Sequence, residues 1–170
     1  MKNEEARGIT RQVLTALYPA WEKNSHFSLD LLSKENQWDK QGFVEVLNRL
    51  EHEHGFIKHY GGWAYDLTPS GVLYVEDNSL VEESRINRHR ELRHHALEYL
   101  ANLYDERGPH AHAIVQEIAK AGPVNHTLEI LVDLSLLAQL NYLEAASISS
   151  YRITREGLKF HRGENYDDIV

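Results

Sequence analysis

The chain has 170 residues, 42% of them hydrophobic and 26% charged, with 26 acidic against 18 basic side chains and a formal net charge of −8. That balance suits one ordinary domain or two small ones, and weighs against unspecific attraction to a polyanion. There is no cysteine, no long apolar run and no apolar core in the opening MKNEEARGITRQ, so disulfides, membrane spans and a signal peptide are not expected and a cytoplasmic location is.

In chain order, Ile9, Val13, Leu14, Leu17, Tyr18 and Trp21 recur at helical spacing and predict an opening amphipathic helix. Ser28 precedes a short second helix, and Asp39 caps a third with Phe43, Val46, Leu47 and Leu50 on its apolar face. Gly55 ends that helix. FIKHY and WAYDLT then read as strands joined at Gly61-Gly62, and Pro69 opens a last helix. From 79 to 95 the chain has few large apolar residues and reads as a solvated helical connector. Overlapping its end is a helix near 88–106, followed by a short one near 111–120, a third from Asn125 to Gln139, a hairpin of YLEAAS and SYRIT, and a helix from Arg155. Pro109 and Gly122-Pro123 punctuate the boundaries.

The second series repeats the first. YDLTPSGVLY at 65–74 and YRITREGLKF at 151–160 share tyrosine, an aliphatic residue, threonine, glycine and an aromatic at the same places. At the same offset of 86 positions, Leu14, Leu17 and Tyr18 fall on Leu100, Leu103 and Tyr104. Likewise Lys34 falls on Lys120, Val46 and Leu50 on Val132 and Leu136, and Gly-Phe-Ile at 55–57 on Asn-Tyr-Leu at 141–143. A turn used twice would not carry matched apolar positions so far, so an internal duplication is expected.

Three helices, a hairpin and a closing helix, with Tyr-x-Leu/Ile-Thr-x-x-Gly at the strand-to-helix junction, resemble the winged-helix branch of the helix-turn-helix superfamily. The resemblance covers almost the whole chain, twice. It implies a mainly α fold with small β-hairpins: two tandem winged-helix domains, residues 1–80 and 81–170, with the connector at 79–95. It also implies either DNA binding through the third helix and wing or service as a protein-interaction module. Residues 39–53 and 125–139 stand where recognition helices stand, and 58–64 and 145–150 where wings stand.

Duplex DNA requires Lys or Arg for phosphates and Arg, Asn or Gln for base edges. The first third helix and its wing supply Lys40, Gln41, Asn48, Arg49 and Lys58, against Asp39, Glu45, Glu51 and Glu53. The second third helix has neither Lys nor Arg. Its Leu128, Ile130, Leu131, Leu134, Leu137 and Ala138 occupy more than one face, which predicts contact with another domain or chain through Leu128, Leu131, Leu134 and Leu137. Trp63 either packs under its hairpin or anchors a contact. A basic stripe of Arg155, Lys159 and Arg162 with Arg152, and a cluster of Arg85, Arg88, Arg90 and Arg93, could track phosphate or be balanced by neighbouring Glu.

The eleven histidines lack the i, i+3 or i+4 spacing of a helical metal pair. His52 and His54 lie two apart, His94 and His95 are adjacent, and His126 reads as a polar first-turn residue. His110 and His112 stay open as a loop pair. No nucleophile motif or phosphate loop is present, and Glu82-Glu83 and Asp167-Asp168 read as solvated carboxylates. The expectation is a non-enzymatic regulatory or assembly module without metal or cofactor. Its expected partner is a protein or a second copy, the alternative being a duplex DNA regulator.

Overall fold

The apolar stripe beginning at Ile9 folds as α1 (Asn3–Glu22), whose Val13, Leu14, Leu17 and Tyr18 are fully buried. The computed structural model describes residues 3–122 and 127–163. Pro123, His126, the expected helix start at Asn125, and Asp167-Asp168 lie outside that range. The chain is mainly helical, with two small antiparallel sheets, and divides into two compact units, Met1–Ile86 and Asn87–Val170.

After α1, the first unit runs through β1 (Phe27–Ser28), α2 (Leu29–Glu35), α3 (Lys40–Asn48), β2 (Ile57–Gly61), β3 (Ala64–Leu67) and α4 (Pro69–Asp77). α3 starts because the Asp39 carboxylate accepts from Gly42 N at 2.7 Å, a helix cap that satisfies one orphan donor. It then runs into a π-helical turn over Arg49–Glu53, closed by His54 N donating to Arg49 O at 3.0 Å. Gly55 follows at φ 65°, as the helix exit requires. Ser28 stands at the N-cap of α2 but gives no side-chain capping bond.

The second unit repeats the order: α5 (Glu83–Arg107), β4 (Ala113–Ile114), α6 (Val115–Lys120), α7 (Thr127–Gln139), β5 (Leu143–Ser147), β6 (Ser150–Ile153) and α8 (Arg155–Arg162). The sheets are ordered β1-β3-β2 and β4-β6-β5. Their registers correspond position by position: Phe27↔Tyr65 with Ala113↔Tyr151, and Ile57↔Leu67 with Leu143↔Ile153. Both hairpins slip register at the same place, before Gly61↔Ala64 and Ser147↔Ser150. The turn residues are therefore Gly62-Trp63 and Ile148-Ser149, which corrects the expected Gly61-Gly62 tip and puts Trp63 in the turn. The two-residue strands β1 and β4 are too short to leave a sequence signal.

One junction follows each hairpin. Thr68 caps α4 by accepting from Gly71 N at 3.1 Å, and its hydroxyl donates to Gly55 O at 2.5 Å. Thr154 caps α8 through Gly157 N at 3.0 Å and donates to Asn141 O at 2.7 Å. Gly71 and Gly157 lie so close to the carbonyl oxygens of Phe56 and Tyr142 that a Cβ at either would overlap backbone. Each unit buries its own apolar set. In the first, α1 packs against α3, β3 and α4, and Phe43, Val46 and Leu47 of α3 and Leu50 of the π turn are buried; in the second, Ile130, Leu134 and Leu137 of α7 join Leu92, Leu100 and Ile118. Full burial of such side chains contributes about 1.5–3 kcal/mol each.

The connector corrects two expectations. Its helix begins at Glu83 and is not solvated throughout, since Ile86, His89, Leu92 and Arg93 are buried. The division between units falls after Ile86, later than the expected 80/81, because the early connector is tied to the first unit. Arg85 pairs with Glu22, and Thr15 donates to Leu80 O at 3.3 Å. The Glu22 hydrogen bond also raises the Arg85 pKa above its ordinary value. Among the described residues no helix is long and apolar enough to cross a membrane.

Candidate functional site

In the first unit α3 buries Phe43, Val46 and Leu47 and turns the opposite face outward. Lys40, Gln41, Val44, Glu45, Asn48 and Arg49 are all exposed on it. Four of the five residues expected for DNA contact here therefore share one open face, and Lys58 is exposed on β2. That face is chemically mixed. Asp39 is exposed at its start, Val44 and Glu45 occupy its middle, and Arg49 Nε meets Glu53 at 3.4 Å.

The hairpin beside it is aromatic. Lys58 Nζ lies 5.2 Å from the centroid of the half-exposed Tyr60 ring, and His26 packs against that ring at 4.5 Å. His26 Nδ1 is 2.7 Å from the Asp66 carboxylate. Glu51, on the π turn, accepts from the backbone N–H of His59 at 3.0 Å, fastening strand β2 to the end of α3. Burial first, and then the Glu51 charge, hold the Tyr65 phenol above its ordinary pKa. Trp63 is half-buried and stacks on Phe43 at 6.0 Å, so it is a packing residue of the hairpin and not an outstanding contact anchor.

In the second unit the expected apolar interface is largely closed. Leu134 and Leu137 belong to the core, Leu131 is half-buried against it, and only Leu128, at 75% exposure, stands out. The physical reason lies on α5. Arg88 reaches Glu129 at 2.6 Å, His89 Nδ1 lies 2.8 Å from Asp133 Oδ2, and Arg93 lies 3.5 Å from Asp133 Oδ1. The stretch that reads as solvated connector thus covers a second side of α7. The signal lies in Glu129 and Asp133, the two charged residues of α7, four apart and so on one face. Of α7, only Leu128 and Gln139 remain exposed.

Most side chains of the basic clusters are paired with carboxylates. Arg85, Arg88 and Arg93 are committed to Glu22, Glu129 and Asp133. Arg152 pairs with Glu144 at 2.8 Å, Lys159 with Glu156 at 3.6 Å, and Arg162 with Asp105 at 2.6 Å. Arg155 is exposed at the start of α8. His110 and His112 are both exposed, with His112 Nδ1 directed to the His110 carbonyl at 3.4 Å. Among the described residues no group of three or more His, Asp or Glu side chains could hold a metal ion.

No family model, curated protein or solved structure matches the chain. The functional reading therefore rests on the site itself.

A second feature of the first unit had no sequence signal. Where α3 turns into its π-helical end, a cavity of about 270 Å³ opens against α1 and α4. Arg7, Arg49 and His54 line it beside Tyr74.

Proposed function

We propose that the protein is a non-enzymatic, cytoplasmic tandem winged-helix module that binds a protein partner through the open face of α3 and the neighbouring hairpin. The duplication is supported by matched strand registers, matched Thr caps and matched glycines at one constant offset. The protein-binding reading rests on one observation: the middle of the exposed α3 face is Val44 and Glu45, with Asp39 at its start. A helix that reads duplex DNA needs donors there, and each carboxylate facing a phosphate would be repelled and would forgo counterion release. An exposed apolar side chain, Val44, on the same face as Arg49 and near an aromatic hairpin residue, Tyr60, brings together residue types that protein interfaces favour.

A photo-crosslinking amino acid at Val44 tests this in cell extract of the source organism. The expected result is a discrete protein adduct that is absent when the same group is placed at Gln116 on α6. No adduct from position 44, or an adduct to nucleic acid alone, would overturn the reading.

Duplex DNA is the second reading, favoured by the shared exposure of Lys40, Gln41, Asn48 and Arg49 with Lys58 on the hairpin. It requires retention on DNA that falls steeply with salt and is weakened by Arg49→Ala or Lys40→Ala.

A further inference from the structure

We propose that the cavity between α1, the π turn of α3 and α4 binds a small anionic ligand, a carboxylate or phosphate ester carrying an apolar body. Its volume, about 270 Å³, lies just under the roughly 300–1,000 Å³ of small-molecule pockets. Two arginines, Arg7 and Arg49, line it. Arg7 makes no ion pair among the described residues, and Arg49 is held only through its Nε, by Glu53 at 3.4 Å. Thr10 and Tyr74 add hydroxyl groups, and the buried Val46 and Leu50 supply an apolar floor. Arginine forks bind carboxylate and phosphate oxygens with charge-assisted hydrogen bonds, and the apolar floor receives the rest of the ligand.

The π turn is what assembles this site. Residues five apart on an ordinary α-helix diverge by about 140° around its axis. The i→i+5 bond from His54 N to Arg49 O instead stacks them one turn apart, so that both line the cavity. Such turns recur at functional sites.

Among the described residues the second unit repeats neither the π turn nor its two side chains. α7 is α-helical throughout Thr127–Gln139, and Ser135 and Leu140 stand 86 positions beyond Arg49 and His54. The site is thus a departure from the repeated pattern, made where three different elements of one unit converge. The chain as a whole carries −8, so an anion is drawn by this local geometry and not by bulk charge.

The test is a nuclear magnetic resonance titration of the full-length, isotope-labelled protein with benzoate, phenyl phosphate and the uncharged benzyl alcohol. The expected result is saturable shifts of the Arg7, Thr10, Arg49 and His54 amides with benzoate or phenyl phosphate, the tighter of the two identifying the head group. Arg7→Gln and Arg49→Gln, both at exposed positions and expected to fold, should each weaken binding about tenfold or more. Three results would overturn the proposal: no saturable binding of either anion, equal binding of the alcohol, or unchanged affinity in the doubly substituted protein.

Discussion

Gly71→Ala and Gly157→Ala are each expected to lower the unfolding free energy by about 3 kcal/mol, at the upper end of overpacking costs. At both positions a Cβ would overlap a backbone carbonyl oxygen, of Phe56 or of Tyr142, and no side-chain rotation can relieve that. The strand-to-helix junction must open, and with it the bonds from Thr68 N to Phe56 O and Thr154 N to Tyr142 O, each 3.0 Å. Urea denaturation followed by circular dichroism measures the loss. Thr68→Ala and Thr154→Ala remove the cap together with the hydroxyl's bond to the Gly55 or Asn141 carbonyl, and should cost about 1–2 kcal/mol each. Gly8→Ala is the control: in α1 nothing lies within 4 Å of its added Cβ, and it should stabilise by about 0.5–1 kcal/mol. Losses at Gly71 and Gly157 no larger than at a surface site would contradict the junction geometry.

Leu134→Ala is expected to cost about 2–5 kcal/mol. Its side chain has no exposure and sits in the second unit's core with Leu92, Leu100 and Ile118, so truncation leaves a cavity. Leu134→Glu would bury a carboxylate among these groups and should abolish the folded second unit. Leu128→Ala, at a position 75% exposed, should stay within about 0.5 kcal/mol. The contrast separates a core residue from an interface residue. Were Leu134 part of an open contact surface, its truncation would change molecular mass at high concentration while leaving the denaturation midpoint in place.

The elements themselves were largely legible. Asp39, Gly55, Thr68, Pro69 and Thr154 each act through local chemistry, and the helix and hairpin limits fall within a few residues of where that chemistry puts them. What the chain did not disclose depends on long-range pairing. β1 and β4 exist only because Tyr65 and Tyr151 offer partners to Phe27 and Ala113. The connector looked solvated because its Arg and His side chains meet carboxylates that lie more than 40 residues away, on Glu129 and Asp133. For the same reason α7 looked as if it had a face to spare.

The candidate site was partly legible. Lys40, Gln41, Asn48, Arg49 and Lys58 are as exposed as their spacing implied. Of the expected interface leucines, Leu134 and Leu137 are core residues, because periodicity counts apolar faces but not the polar seam that closes one of them, while Leu128 is exposed. The cavity at Arg7 and Arg49 was out of reach, since a π turn leaves no mark in hydrophobic periodicity and Arg7 and Tyr74 are brought together only by the fold.

The most direct test of the account is fluorescence anisotropy of labelled duplex DNA, random and upstream genomic, titrated with the full-length protein at about 150 mM salt. With carboxylates set among the cations of α3, the expected result is no affinity tighter than the roughly 10⁻⁴–10⁻⁶ M of non-specific binding, and no preference between sequences. Tight, sequence-selective binding that Arg49→Ala or Lys40→Ala weakens would contradict it and give the α3 face to DNA.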